Sequence, residues 1–106
     1  MTTKKRLGAR IKEIRRAKGL SQENLAEKIS IDAKHMSRIE VGGSYPSLDT
    51  LENIAKVLNV ELKDFFEFAH ETESPKELKD TLNGLLKEAT EEGLKTAVKV
   101  LRAIVR

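Results

Sequence analysis

SQENLAEKISIDAKHMSRIEV, residues 21–41, is the stretch of sequence that decides the fold. Apolar side chains recur in it every three or four positions, which is typical of the buried faces of helices. The spacing predicts one helix from Gln22 to about Ile29 and a second from Ala33 to Val41. Two short helices joined by a turn of about three to four residues form a helix-turn-helix.

The second of these helices has two dissimilar faces. Met36, Ile39 and Glu40 are predicted to face inward, and the opposite face is short, polar and cationic. An α-helix fits the major groove of DNA, where Lys and Arg suit guanine O6 and N7, Ser suits either base of a pair, and a methyl group can contact thymine. The candidate base contacts are Ala33, Lys34, Ser37 and Arg38. The alternative for the two cations is a solvated face with no role in binding.

The rest of the chain is predicted to be helical as well, because no stretch alternates with period two for long enough to form a strand. One helix over residues 4–18 precedes the helix-turn-helix, and helices over about 48–58 and 62–68 follow it. We therefore expect an all-α protein with three parts: a five-helix domain (1–69), a polar linker (70–74) and a C-terminal helical hairpin (75–106).

The hairpin carries an apolar stripe on each of its two predicted helices. Ser74, Pro75 and Glu77 form a strong helix start, and the register breaks near Thr90 before the second stripe begins. The two stripes exceed what one small hairpin can hide, so they need a further surface, and dimerisation supplies one. The candidate dimerisation residues are Leu78, Leu82, Leu85, Leu94, Val98, Leu101, Ile104 and Val105.

Charge is concentrated at one end of the chain. The 106 residues carry a formal charge of +3, which is ordinary for this size. Residues 1–45, however, hold eleven Lys and Arg against five acids, a charge of +6, whereas residues 46–70 carry −3 and residues 71–106 are neutral. The positive field therefore coincides with the helix-turn-helix. Lys4, Lys5 and Arg6 are either an arm that touches the DNA backbone or a frayed terminus.

The composition excludes several classes of function. The chain has no Cys and two His, so it offers no thiol nucleophile and no thiolate zinc site. It lacks a Ser/His/Asp set, a Gly-rich phosphate loop and an HExxH motif, and we expect no enzymatic activity, metal or cofactor. No apolar run approaches the roughly 18 to 20 residues that cross a bilayer, and no signal peptide is evident. We expect a soluble, cytoplasmic protein without a membrane partner.

Residues 19–60, GLSQENLAEKISIDAKHMSRIEVGGSYPSLDTLENIAKVLNV, resemble the Cro/cI-type (XRE-like) helix-turn-helix domain of phage repressors and many bacterial regulators. The matched elements open the second helix (20–22), close the third (37–42) and open the fourth (46–51), and the resemblance extends over about 7–68. It implies a lambda-repressor-like DNA-binding domain. The face of the third helix matches the positions that meet base edges in this family.

The resemblance also implies roles for other side chains. Gln22 matches a glutamine placed against a phosphate at the start of the second helix, where an anion is favoured. Arg15 and Glu40 match a pair that ties the first helix to the third. The candidate phosphate contacts are Gln22, Ser21, His35 and Tyr45. For Tyr45 the alternative is that it covers the edge of the core.

Helix caps are predicted from short polar side chains at Ser21, Asp32 and Ser47. At the starts of helices, two positions depart from the family pattern. Asn24 stands where Glu is frequent and predicts a weaker capping box for the second helix, and Glu61 leaves the fifth helix without its usual Ser or Asp cap.

Together these features predict a sequence-specific DNA-binding transcriptional regulator, a repressor that reads the major groove with its third helix as a homodimer on a palindromic operator. The expected partners are double-stranded DNA and a second copy of the chain. The alternative is an antitoxin or partner-controlled switch, in which the C-terminal hairpin chiefly binds an antagonist or toxin protein.

Overall fold

The computed structural model describes residues 2–71, 75–87 and 90–104. This part of the chain forms six α-helices and one 3₁₀ helix, with no strand. In chain order the elements are α1 (Thr3–Ala17), α2 (Gln22–Lys28), α3 (Ala33–Glu40), α4 (Leu48–Leu58), the 3₁₀ helix (Leu62–Glu71), α5 (Pro75–Leu86) and α6 (Glu91–Ile104). The predicted all-helical fold is confirmed.

The capping box of α2 is present, and its second hydrogen bond is long, in line with the weaker box predicted for Asn24. The Ser21 hydroxyl accepts a hydrogen bond from the Asn24 backbone N–H at 3.0 Å, and the Asn24 carboxamide oxygen accepts from the Ser21 N–H at 3.4 Å. The shorter amide side chain of Asn24 therefore replaces the Glu of the family pattern. At the fourth helix the prediction is confirmed, because the Ser47 hydroxyl accepts from the Thr50 N–H at 3.1 Å.

The cap predicted at Asp32 is wrong. Asp32 has the extended backbone of an N-cap residue, but its carboxylate, exposed to solvent, makes no capping hydrogen bond. The turn before α3 is formed by the end of α2, where the Ser30 N–H donates to Glu27 O at 3.2 Å and the Ile31 N–H to Ala26 O at 2.9 Å. The 3₁₀ helix begins without the usual Ser or Asp cap. A side chain of its own first turn bonds to the residue before it, because the Asp64 carboxylate accepts from the Glu61 N–H at 2.9 Å.

The core lies where α1 to α4 and the 3₁₀ helix meet. Leu25 of α2, Met36 of α3 and Ile54 of α4 are fully buried there. Phe65, also fully buried, and Phe66 close it from the 3₁₀ helix. Burial of such side chains contributes roughly 1.5 to 3 kcal/mol each and fixes the orientation of the short helices.

Helix α1 passes very close to the C-terminal end of α3. Gly8, buried in the middle of α1, faces the backbone carbonyls of Ile39 and Glu40. A Cβ atom at Gly8 would lie 2.7 Å from Glu40 O, which is closer than side-chain carbons approach oxygen. The glycine therefore permits a backbone-to-backbone contact between α1 and α3.

The C-terminal hairpin folds back on the five-helix domain: α5 contacts α1, and α6 contacts α4 and the 3₁₀ helix. Leu85 is 1% exposed and belongs to the same core as the rest of the chain, together with Ala97. At the α4–α6 contact the Thr96 hydroxyl donates to the Glu52 carboxylate at 2.9 Å. The surface that the hairpin stripes need is thus supplied partly by the chain itself.

This docking changes the set of candidate dimerisation residues. Leu85 is removed from it, because a side chain buried within its own chain is not available to a second copy. Leu94 and Val98 are 51% and 49% exposed on α6 and stay candidates. The side chains of Leu78, Leu82, Leu101 and Ile104, and all of Val105, lie outside the described residues.

The boundary between the two predicted parts also shifts. The 3₁₀ helix continues to Glu71 and so includes the first two residues of the predicted linker. It changes direction at Phe66, whose backbone angles (φ −112°, ψ 16°) are not helical. The remaining linker positions, 72–74, lie outside the described residues, and with them the predicted Ser74 cap.

Candidate nucleic-acid interface

Helix α3 presents the predicted base-contacting face to solvent. Lys34 and Arg38 are exposed, and Ala33 and Ser37 are partly exposed beside them. The other face of the helix is anchored by Met36, Ile39 and Glu40, all of which are buried. The structure therefore brings the four candidate side chains together on one short cationic surface, whose contact with bases stays a prediction.

Glu40 connects three parts of the domain from the buried face of α3. Arg15 donates from Nε and Nη2 to the two Glu40 carboxylate oxygens at 2.7 and 2.9 Å. The Arg15 Nη1 also donates to Leu20 O at 2.6 Å, and the Gln22 amide donates to Glu40 Oε1 at 2.9 Å. The pair implied by the resemblance is present, and it fixes α3 relative to α1 and the start of α2.

The candidate phosphate contacts on α2 already have partners within the chain. Gln22 is partly buried, with its amide N–H₂ group directed to Glu40. The Ser21 hydroxyl accepts from the Asn24 N–H and lies 2.7 Å from the Asn24 carboxamide oxygen. Both residues stand at the N-terminal end of α2, where backbone N–H groups favour an anion. Their contact with phosphate stays a prediction.

His35, in α3, and Tyr45, in the connection that follows it, line the same recess. The His35 Nδ1 is 3.5 Å from Arg38 Nη2, so the imidazole borders the base-contacting face. The ring of Tyr45 lies in the connection between α3 and α4, with the Lys4 ammonium 5.5 Å from its centre. Gly84 of α5 packs against the same ring. Tyr45 therefore covers part of the edge of the core, which was one of its two predicted roles. Its contact with phosphate stays a prediction.

The sequence analysis missed Gly84 and Lys87, which bring α5 to this region. A Cβ atom at Gly84 would lie 2.5 Å from Tyr45 Cγ, so the helix can approach the ring only with a glycine there. Lys87, one turn further, lines a recess that it shares with His35. The available signal was the glycine itself, since an isolated Gly in a helical pattern often marks a close packing contact.

Part of the positive charge at this end of the chain is used within the fold. Arg10 pairs with Glu13 and with Glu67 at 3.0 Å, and its Nε donates to Asp64 O at 2.9 Å. Like Arg15, it therefore has structural partners. Among the residues that the structure describes, no group of His, Asp and Glu is arranged to hold a metal ion, and no helix is long and apolar enough to span a membrane.

The chain is similar in sequence to known proteins. Residues 11–65 match the Helix-turn-helix family model HTH_3. The HTH-type transcriptional regulator SinR of Bacillus subtilis (strain 168) is 34% identical over 89 residues, which are 83% of this chain and 80% of SinR.

Two solved structures are similar in fold and sequence. The restriction-modification controller protein C.AhdI from Aeromonas hydrophila aligns with a TM-score of 0.57 and 35% identity, over 58% of this chain and 90% of the controller. A structure of the SinR protein/SinI protein complex aligns with a TM-score of 0.57 and 27% identity, over 91% of this chain and 94% of the matched chain.

The family model covers more than half of the chain, and SinR is matched over most of its own length. Members of this family are transcriptional regulators and not enzymes, in agreement with the sequence analysis. The chain belongs to the XRE-type helix-turn-helix family of DNA-binding transcriptional regulators.

Proposed function

We propose that the protein is a cytoplasmic, sequence-specific repressor that binds a palindromic operator as a homodimer. The observation that carries this proposal is the exposed cationic face of α3, formed by Lys34, Ser37 and Arg38, on a helix whose position is fixed by the buried Arg15–Glu40 pair. A helix held in this way can enter the major groove and present the same side chains at every encounter.

Selection of bound duplexes from random-sequence DNA tests the proposal. We expect an inverted repeat whose half-site centres are about 34 Å, or a multiple of it, apart, because two-fold symmetry of the protein imposes palindromy on the site. Enrichment of no sequence would contradict specific recognition. Enrichment of a single, asymmetric site would contradict the dimer.

Arg38→Ala is expected to relax discrimination at one base pair of the half-site. Loss of a guanine contact costs about 1 to 3 kcal/mol on the selected duplex and much less on random DNA. Fluorescence anisotropy on both duplexes measures the difference. Lys56→Ala, which removes an exposed cation of α4 outside the base-contacting face and outside α6, is the matched control and should leave both affinities unchanged. Equal losses on both duplexes for Arg38→Ala would contradict base recognition by this residue.

Dimerisation through α6 is the part of the proposal that rests on Leu94 and Val98. These side chains lie four residues apart on the same helix and are about half exposed, although the neighbouring Ala97 is buried. A second copy that covers them would complete the burial of the stripe. We expect Leu94→Asp/Val98→Asp to sediment as a folded monomer, whereas Asn53→Asp, on the exposed face of α4, should sediment like the wild type. Wild-type protein that is monomeric at tens of micromolar would contradict the dimer.

A second candidate function is control by a protein partner. Its support is the similarity to the SinR protein/SinI protein complex, which extends over 91% of this chain and therefore includes the hairpin. In this case the chain is an antitoxin or antagonist-controlled switch, and α6 chiefly binds another protein. Co-expression with the product of a neighbouring small reading frame distinguishes the candidates: a stable heterodimer that no longer binds DNA favours partner control, and an unchanged homodimer favours the first.

A further inference from the structure

A recess of about 260 Å³ lies beside α3, between the five-helix domain and the docked hairpin. Its walls come from two stretches of the chain that are distant in sequence, residues 35–50 and 84–87. They are formed by His35 of α3, Tyr45 and Ser47 of the following connection, Thr50 of α4, and Gly84 and Lys87 at the end of α5. The recess therefore lies between the hairpin and α3, the helix that carries the base-contacting face.

The close contact between Gly84 and the Tyr45 ring fixes where Lys87 lies. Because a Cβ atom at Gly84 would overlap the ring, α5 approaches here more closely than any other residue would allow. Leu85, buried in the core, holds the same turn of α5 from its other side. Lys87 follows two residues after Leu85, and its exposed side chain borders the recess.

The lining of the recess carries one formal positive charge, that of Lys87. None of the described residues that line it is acidic, and it includes a lysine and a histidine. Lys4 lies over the Tyr45 ring, in the first turn of α1, and that turn contains no acidic residue. Cations in the first turn of a helix oppose the helix dipole, which is unfavourable in the free protein and becomes favourable when an anion lies beside them.

A continuous surface leads from the base-contacting face to Lys87. Arg38 lies 3.5 Å from His35, and His35 forms one wall of the recess that Lys87 borders. Phosphates run along both edges of the major groove, so a helix in the groove has a phosphate chain at each side. A lysine that borders the recess beside α3 is therefore on the side of the helix along which one of these phosphate chains would run.

From this placement we propose that Lys87 binds a phosphate of the DNA backbone, so that the docked hairpin forms part of the DNA-binding surface. The inference rests on the proposed function, because it needs α3 to enter the major groove. It assigns to α5 a role that is separate from dimerisation: Gly84 and Leu85 position the helix, and Lys87 makes the contact. Such a contact strengthens binding to every DNA sequence alike.

Binding of the full chain to a short duplex of random sequence, measured by anisotropy across a series of salt concentrations, tests the inference. We expect Lys87→Ala to weaken binding about fivefold at about 0.15 M salt and to reduce the slope of log K against log salt by about 0.9 for each bound protomer. Lys87→Arg should bind like the wild type. Lys95→Ala, which removes an exposed lysine of α6 outside the recess, should change neither quantity.

Two outcomes would overturn the inference. If Lys87→Ala and Lys95→Ala have the same affinity and salt slope, with wild-type binding intact, Lys87 makes no phosphate contact and the proposed function stands. If the wild type itself fails to bind the duplex at low salt, the proposed function fails and the inference fails with it. Because Lys87 is exposed, both variants should unfold at the wild-type temperature, which circular dichroism verifies.

Discussion

Glu40→Ala is expected to lower the free energy of unfolding by about 3 to 5 kcal/mol, because it leaves a buried guanidinium without its carboxylate. Arg15 is 5% exposed and donates two hydrogen bonds to Glu40, and the Gln22 amide donates a third. For a domain of this size the change corresponds to a fall in Tm of more than about 10 °C. Thermal and urea unfolding followed by circular dichroism measure it.

Glu67→Ala is the matched control for this variant. It also removes a glutamate that pairs with an arginine, but the Arg10–Glu67 pair lies at the surface, with Glu67 62% exposed. Exposed pairs of this kind contribute about 0 to 1 kcal/mol, since water solvates the remaining charge. Similar losses of stability for the two variants would show that burial of the Arg15–Glu40 pair has no energetic consequence.

Gly8→Ala is expected to destabilise the protein by about 1 to 3 kcal/mol. This loss is expected even though alanine has a helix propensity about 1 kcal/mol more favourable than that of glycine. The added methyl group would lie 2.7 Å from Glu40 O. Its nearest neighbours are all backbone atoms of Ile39 and Glu40, so no flexible side chain can move aside to make room for it. Relief of the overlap requires α1 to move away from α3. We therefore expect weaker DNA binding as well, measured on the selected duplex.

Gly43→Ala serves as the control for this substitution. A Cβ atom at Gly43 would lie 3.5 Å from Arg38 O, which is ordinary van der Waals contact, and the residue is exposed. Its stability should stay within about 0.5 kcal/mol of the wild type. A Gly8→Ala variant as stable as Gly43→Ala would show that α1 and α3 can separate without loss.

The fold of the first 60 residues could be predicted from the sequence because each local signal agreed with the others. Apolar spacing defined α2 and α3, and Ser47 marked the start of α4 with a cap that the structure contains. The cationic face of α3 followed from the same spacing, since Met36 and Ile39 could face only the core. Periodicity determines which side of a helix is buried, and so it also determines which side is exposed.

The position of the hairpin could not be predicted in the same way. An apolar stripe shows that a helix needs a partner surface, but it does not show whether that surface belongs to the same chain or to a second one. Leu85 and Leu94 were therefore assigned to one dimer interface, although the structure buries the first in the core and leaves the second exposed. The isolated Gly84 indicates a close packing contact, but a single sequence does not show that its partner is Tyr45, 39 positions earlier.

The burial of Leu85 and Ala97 in the core of the five-helix domain limits the modularity of the protein. A module that only assembles subunits can be exchanged between regulators, because the domain to which it is attached does not depend on it. Here an exchanged hairpin would have to supply an apolar side chain at the position of Leu85. It would also need a glycine at the position of Gly84, where α5 packs against the Tyr45 ring. The hairpin and the domain that recognises DNA are therefore constrained to change together in evolution.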